Sequence, residues 1–307
     1  MRALRTLREN VTTLLLLAVL GSVGVSFAAP PQLVCHLQDP ALNESSGLAA
    51  SARSPEYFFT HNDSGDSARI FAVNRKGETL ATYRVPGAQN VDWEDMARGR
   101  DPQGNDVLFV ADIGDNHTQR QQVQIYRIPE PDVDVTRLGV KACTAPATRF
   151  ELSYPDGAHD AETLLCNMAN GTLYLVTKER LLRASGVYAT TTPLMPDRVN
   201  KLTKVGWIRF LSLPATVRGL TDSLGRLMAT GGDISPEGDR VVIRTYTDAY
   251  EWKIPHFDVG AAFRSEPTQL ALSRMRQGES AAYTQDGKAI LFGSEKPNSP
   301  IYEVTRP

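Results

Sequence analysis

Acidic residues recur in this sequence in pairs two apart, each pair opening a short apolar segment. Asp92-Trp-Glu94-Asp-Met-Ala and Asp160-Ala-Glu162-Thr-Leu-Leu superpose in register, Asp92 on Asp160, Glu94 on Glu162 and Met96 on Leu164. Glu44-Ser-Ser-Gly-Leu-Ala joins them when Ala49 is set on Ala97, and Gly278-Glu279-Ser-Ala-Ala-Tyr is a looser copy. Gly231-Gly-Asp-Ile-Ser-Pro opens a further unit, with Gly232 where an acid is expected. If these segments are strands, a period of two puts Asp92, Glu94 and Met96 on one side and Trp93 and Asp95 on the other. Carboxylates gathered in one cleft raise one another's pKa unless a cation compensates them. A hard divalent cation answers that repulsion, and calcium suits best because it takes about six to eight oxygen ligands in loose geometry. Zinc fits poorly, since the histidines show no paired spacing and the thiols are scattered.

A second echo follows each opening. Asn62-Asp63-Ser-Gly-Asp66-Ser resembles Ala111-Asp112-Ile-Gly-Asp115-Asn, and both lead to strands of one type, Arg69-Ile-Phe-Ala-Val and Gln124-Ile-Tyr-Arg-Ile. Asp63, Asp112 and Glu295, at the ends of the segments after the openings, are therefore candidate metal ligands beside Glu44, Glu94, Glu162 and Glu279. Each has a plainer role available as a strand-end acid that accepts from nearby backbone N–H groups. Asp66 and Asp115 lack the spacing and the closing Glu of an EF-hand loop and read as turn caps. His61 and His117 lie near these turns and His159 directly precedes the Asp160 opening; each is either an acid–base group or a solvated loop histidine. Arg244 and Lys178 stand near strand ends, placed to contact an anionic ligand or to pair with the acids.

The elements that must position these residues are strands. No long stretch has a helical apolar period, whereas β-branched and aromatic runs broken by Gly, Pro, Asn and Asp recur throughout. Strands are expected over Tyr57–His61, Arg69–Asn74, Thr79–Val85, Val107–Asp112, Gln124–Ile128, Thr172–Thr177, Arg240–Tyr246, Ala249–Trp252, Ala289–Gly293 and Ile301–Val304. Irregular repeats of roughly 40 to 70 residues, each supplying about four strands, are how propeller blades look in sequence. The expected fold is all-β, a single propeller of five or six four-stranded blades. The candidate sixth lies in Leu211 to Thr230, which also reads as a loop or short helix. Pro31 to Leu37 has strand character and the last unit lacks a fourth strand, so the N-terminal strand is expected to complete the last blade and close the ring. A two-domain sandwich is the alternative, although no shift in composition divides the chain. In a propeller the innermost strands line a central channel, so acids at one place in successive blades converge on a shared funnel.

Arg2, Arg5 and Arg8, the apolar run Val11 to Phe27 and then small residues follow the order of a secretory signal, with cleavage expected after Ala28. An uncleaved anchor is the rival. Residues 1–28 are thus read as a signal peptide and 29–307 as the propeller, secreted or periplasmic, monomeric, and free of the membrane after cleavage. With 33 Lys and Arg against 35 Asp and Glu, both signs interspersed, nothing points to nucleic acid. Cys35, Cys143 and Cys166 permit one disulfide, for which Cys143 with Cys166, the nearest in sequence, is preferred. The Asn-x-Ser/Thr matches at Asn43, Asn62, Asn116 and Asn170 are of a kind common by chance in such a chain. Nucleophile elbow, P-loop, dinucleotide fingerprint and zinc-protease helix are all absent from the sequence.

With these motifs in view, the chain resembles the exported propellers grouped as SdiA-regulated or phytase-like, whose blades open with E-x-S-G-L-A or D-x-E-G-hydrophobic-A. Glu44-Ser-Ser-Gly-Leu-Ala, Ile70-Phe-Ala-Val-Asn-Arg-Lys-Gly-Glu, Asp160-Ala-Glu-Thr-Leu, Gly278-Glu-Ser-Ala-Ala-Tyr-Thr-Gln-Asp-Gly and Ser294-Glu295 before Ile301-Tyr-Glu-Val carry the resemblance. It implies channel acids that hold calcium, a role it places on Glu44, Glu94, Glu162 and Glu279. The chain departs from the pattern where Asp95, Thr163 or Ser280 replaces the Gly after the acid. Three readings follow: a calcium-binding propeller of recognition or envelope role with a small-molecule or protein ligand at the funnel mouth; a calcium-dependent hydrolase of a phosphoester, ester or lactone; and a metal-free interaction scaffold.

Overall fold

The computed structural model describes residues 30–179, 184–210, 227–272, 275 and 277–306, and the expected signal segment lies outside them. The N-terminal strand β1 (Gln32–His36) is followed by β2 (Ser45–Ala50), β3 (Tyr57–Asn62), β4 (Arg69–Asn74) and β5 (Thr79–Arg84). Next come β6 (Trp93–Arg100), β7 (Asp106–Asp112), β8 (Val123–Pro129), β9 (Val140–Cys143) and β10 (Thr148–Ser153). The third group is β11 (Ala161–Asn167), β12 (Thr172–Thr177), β13 (Ser185–Ala189), β14 (Val199–Lys201) and β15 (Thr203–Ile208). The last two are β16 (Ala229–Ile234), β17 (Arg240–Thr245), β18 (Ala249–Lys253) and β19 (Thr268–Leu270), then β20 (Gly278–Tyr283), β21 (Ala289–Ser294) and β22 (Pro300–Thr305). Every strand expected from the sequence is present, with no end displaced by more than one residue.

These strands form five sheets of four or five strands, a five-bladed β-propeller. The innermost strands β2, β6, β11, β16 and β20 contact one another in turn around the whole ring. Blade 5 is completed by β1, which pairs antiparallel with β22, so the two ends of the chain close the circle within one sheet as expected. The count of five removes the six-bladed alternative; of the stretch proposed for a sixth, Ala229 and Thr230 open β16, and residues 211–226 lie outside the described residues.

Both faces of each blade are covered by a neighbouring blade, which explains why the strands read as continuous apolar runs rather than alternating ones. The core accordingly divides into five clusters, one per seam. Phe59, Trp93, Met96 and Tyr126 fill the seam between blades 1 and 2, for example, and Phe109, Leu164 and Leu175 the next. Each such side chain contributes about 1.5–3 kcal/mol on burial.

Six strands have no counterpart in the sequence reading: β10, β13, β15 and β19 within their own blades, and β9 and β14, which cross between blades. The connection after β8 turns back to add β9 in parallel to the outer edge of blade 1, and that after β13 adds β14 in parallel to blade 2. Blades 1, 2 and 3 are thereby stitched together at their rims. The favoured Cys143–Cys166 disulfide is corrected by this arrangement: Cys143 is exposed on that outer edge, Cys166 is buried in the innermost strand of blade 3, and all three cysteines are free.

Candidate metal centre

Every inner strand begins with a β-bulge. The ladder slips between Trp93 and Asp95, Ala161 and Thr163, Ala229 and Gly231, and Gly278 and Ser280, and between Ser45 and Leu48 in blade 1. The extra residue escapes the alternation of the strand and is re-aimed, a common use of bulges beside functional sites. At the bulges stand Ser46, Glu94, Glu162, Thr230 and Glu279. Met96, expected on the same side as Glu94, instead packs in the seam between blades 1 and 2. In blade 4 the position belongs to Thr230, two residues before the Gly232 that the motif alignment had set there.

Ser46, Glu94, Glu162 and Glu279 line a small cavity on the axis, of about 110 Å³, together with Asp63, Asn116, Lys178, Tyr246, Gln277 and Glu295. Carboxylate oxygens of Glu94, Asp160 and Glu162 lie within 4.8 Å of one another, as do those of Asp63, Asp92 and Glu94. Five of the seven acids proposed from the sequence thus line one cavity: Glu94, Glu162, Glu279, Asp63 and Glu295. Glu44 is placed differently. It precedes β2 as Asp92 precedes β6 and Asp160 precedes β11, outside the cavity lining but close enough to Asp63 to raise its pKa.

Asp112 is drawn away from the axis. Its carboxylate meets Arg120 Nη1 at 2.8 Å and accepts from the N–H groups of Val91 (3.3 Å) and Asp92 (3.2 Å). The cause is register: Ser45 faces Asn62 and Trp93 faces Asp112, so Asp112 corresponds to Asn62 and not to Asp63. A slip of one residue sends a strand side chain to the other face. The position that belongs to the funnel in blade 2 is Gly114, whose N–H reaches Asp92 O at 3.2 Å. A Cβ there would sit 2.5 Å from the Asp92 carboxyl carbon and overlap Glu94 Oε1, so the glycine makes room for two carboxylates.

The two proposed cations separate as well. Lys178 lines the cavity, its ammonium in contact with Glu162 Oε1 and 5.1 Å from the Tyr246 ring centroid. Arg244 is fully buried behind the wall, over Gly278 and 5.4 Å from the Phe292 ring centroid. Burial lowers its pKa to about 10, against the pull of Glu279 and Asp248. None of the candidate histidines lines the cavity. His61 is buried edge-on to Trp93, His117 is exposed, and His159 bonds to Asp156 and Tyr188 outside it. Asp66 and Asp115 serve as caps, accepting from Asn62 Nδ2 at 2.8 Å and from Arg120 N at 2.7 Å.

Electrostatically the cavity is an excess of acid. Burial, then Glu162, Asp63 and Asp92, holds Glu94 well above the usual carboxylate range, and burial with Glu162 does the same to Glu279. Burial pushes Glu162 to about 8 despite Lys178, and pushes Asp63 to about 6 with help from Asp92, Glu295 and Glu44. For Lys178, burial opposes the charge, but Glu162 and Tyr246 outweigh it and hold the pKa above the lysine norm. Shifts of this kind arise where acids are buried together with little opposite charge beside them.

Sequence reasoning passed over Ser46, Asn116, Tyr246 and Gln277, which line the cavity, and noted Asp92 and Asp160 without assigning them a role. The D-x-E spacing was a usable signal for the last two. Gln277 has none: it holds φ 48° and donates Nε2 to Glu295 Oε2 at 2.6 Å, a strained backbone at the cavity wall. Neither the protein-family models nor the curated proteins include a match to this chain.

Proposed function

We propose that this protein is an exported propeller that holds a calcium ion in its funnel and serves recognition or envelope stability, within the SdiA-regulated or phytase-like group that its blade motifs resemble. The carrying observation is the convergence of Glu94, Glu162, Glu279, Asp63 and Glu295 on one cavity with a single lysine to balance them. The lining fits the ion. It offers carboxylate, amide and hydroxyl oxygens with no thiol or imidazole, which favours calcium over softer metals. Gly114 leaves the space that two of the carboxylates use. Glu94, Glu162 and Glu279 would hold the ion from the bulges, with Asp63, Asp92, Asp160 and Glu295 as the remaining donors.

Size favours holding an ion over turning over a substrate. About 110 Å³ takes an ion and a handful of waters, each needing roughly 10–15 Å³ on this measure. The export reading rests on the order of charge, apolar run and small residues in 1–28.

The test is thermal unfolding of the purified protein in excess chelator, then with calcium titrated back, beside a Glu94→Gln, Glu162→Gln double variant. Calcium at 100 times its dissociation constant is expected to add about 2.7 kcal/mol to the wild type and nothing to the variant. The absence of any calcium-dependent shift in the wild type would leave a scaffold whose acids are structural.

A further inference from the structure

The lysine in the funnel stands where two other blades put an acid. Lys178, Asp63 and Glu295 each follow the second strand of a blade directly. Each donates its backbone N–H to a carbonyl at the opening of the inner strand: Lys178 to Asp160 O at 2.9 Å, Asp63 to Glu44 O at 2.9 Å and Glu295 to Gln277 O at 3.0 Å. The three side chains therefore start from equivalent points around one cavity. Two bring a carboxylate and the third brings an ammonium, the one cation in the lining among the described residues.

That ammonium rests on Glu162 Oε1, and Glu162 is also one of the three acids whose oxygens cluster within 4.8 Å. An ion seated on that cluster and an ammonium on the same carboxylate repel each other, so the two compete for Glu162. Lys178 has somewhere to go. Its stem is flexible, and Tyr246, which follows β17 in the neighbouring blade 4, places its ring centroid 5.1 Å from the ammonium and its side chain within hydrogen-bonding reach. We propose that Lys178 is the resident cation of the funnel and that a divalent ion binds by displacing its ammonium from Glu162, so that Lys178 sets the affinity and makes binding reversible. The inference rests on the ion-holding reading above. It follows that the ion-free fold is already partly compensated, and that the site belongs with weak, exchangeable calcium sites rather than permanent ones, since affinity tracks the ligand charge available.

Calorimetric titration of CaCl2 into chelator-stripped wild type and Lys178→Met tests this. The variant is expected to bind at least tenfold more tightly, or to bind where the wild type does not. Equal or weaker affinity in the variant, with the wild type binding, overturns the inference and leaves the ion reading in place; no binding by either protein removes both. Should Lys178→Met fail to fold, amine acylation of the wild type with an N-hydroxysuccinimide ester, read by peptide mass spectrometry, replaces it. Labelling of Lys178 is expected to rise several-fold on adding CaCl2 while that of the exposed Lys253 and Lys288 stays constant. Unchanged or reduced labelling of Lys178 overturns the inference.

Discussion

Blades 1 and 4 use the inner-strand bulge differently from blades 2, 3 and 5. In blade 1 the bulge carries Ser46 and Gly47, and Ser46 Oγ donates to Glu94 O of the next blade at 2.5 Å. In blade 4 it carries Thr230 and Gly231, and Thr230 Oγ1 donates to Gly278 O at 2.8 Å. The glycine after each hydroxyl lets the neighbouring strand approach: a Cβ on Gly47 would lie 2.7 Å from Met96 N, and one on Gly231 would overlap Glu279 O. In the other three blades the bulge carries Glu94, Glu162 or Glu279, and the residue behind it has a side chain. One backbone device thus serves as a staple between blades in two places and as a mount for an axial carboxylate in three.

The largest effect that would break this comparison is at a staple glycine. Gly231→Ala is expected to cost about 3 kcal/mol in urea unfolding, because the added methyl meets backbone that cannot swing aside. The cost should be the same with and without calcium, and a calcium-dependent cost would mean that the staple blades shape the funnel.

Next comes pH. Glu94 and Glu279, held well above the carboxylate range by burial and Glu162, and Asp63, at about 6, keep protons in the folded state that they lose at ordinary carboxylate values when unfolded. The folded state binds more protons across that window, so stability falls as pH rises through it. His61 acts in the opposite sense, since burial lowers its pKa to about 4, and its contribution is lost as pH falls from about 6.5. Above pH 6.5 the acids act unopposed. Calcium-free protein is expected to lose about 2 kcal/mol per group held protonated across about 1.5 pH units. Excess calcium should flatten or reverse the slope, because the ion takes the deprotonated form. A melting series from pH 6.5 to 8, with and without the ion, decides it.

Glu94→Gln sharpens the comparison at a funnel blade. In chelator at pH 8 it removes a carboxyl that burial and neighbouring acids keep from ionising, and with it the cost of protonating that group on folding, so it is expected to stabilise by on the order of 1 kcal/mol. In excess calcium it should instead lower the midpoint, and the same sign in both media would mean that Glu94 is no ligand. The smallest effect belongs to Thr230→Val, which removes one hydroxyl from a staple while keeping its shape. The loss expected is about 1 kcal/mol or less, with calcium affinity unchanged by titration.

The strands were legible because each obeys a local rule. Runs such as Arg69–Asn74 and Thr172–Thr177 are apolar, β-branched and bounded by turn residues, and the structure returns them with the same ends. β9 and β14 follow no such rule: their few residues become strands only because a neighbouring blade offers an edge. The site divides in the same way. Glu94 and Glu162 were legible from their shared register, whereas Asp112 was set on Asp63 one residue out of place, since similar turn sequences do not reveal which residue faces which across a ladder.

By itself, then, the sequence determined the all-β class, the repeating units, the closure of the ring by its N-terminal strand and the acids that the units share, because apolar period, turn chemistry and repetition are local properties. The tertiary structure alone decided that there are five blades, that bulges turn three glutamates to the axis, that Gly114 makes room for two carboxylates while Asp112 goes to Arg120, and that Lys178 stands among the acids. Those outcomes depend on register and on which blade lies against which, and both are set by packing between residues far apart in the chain.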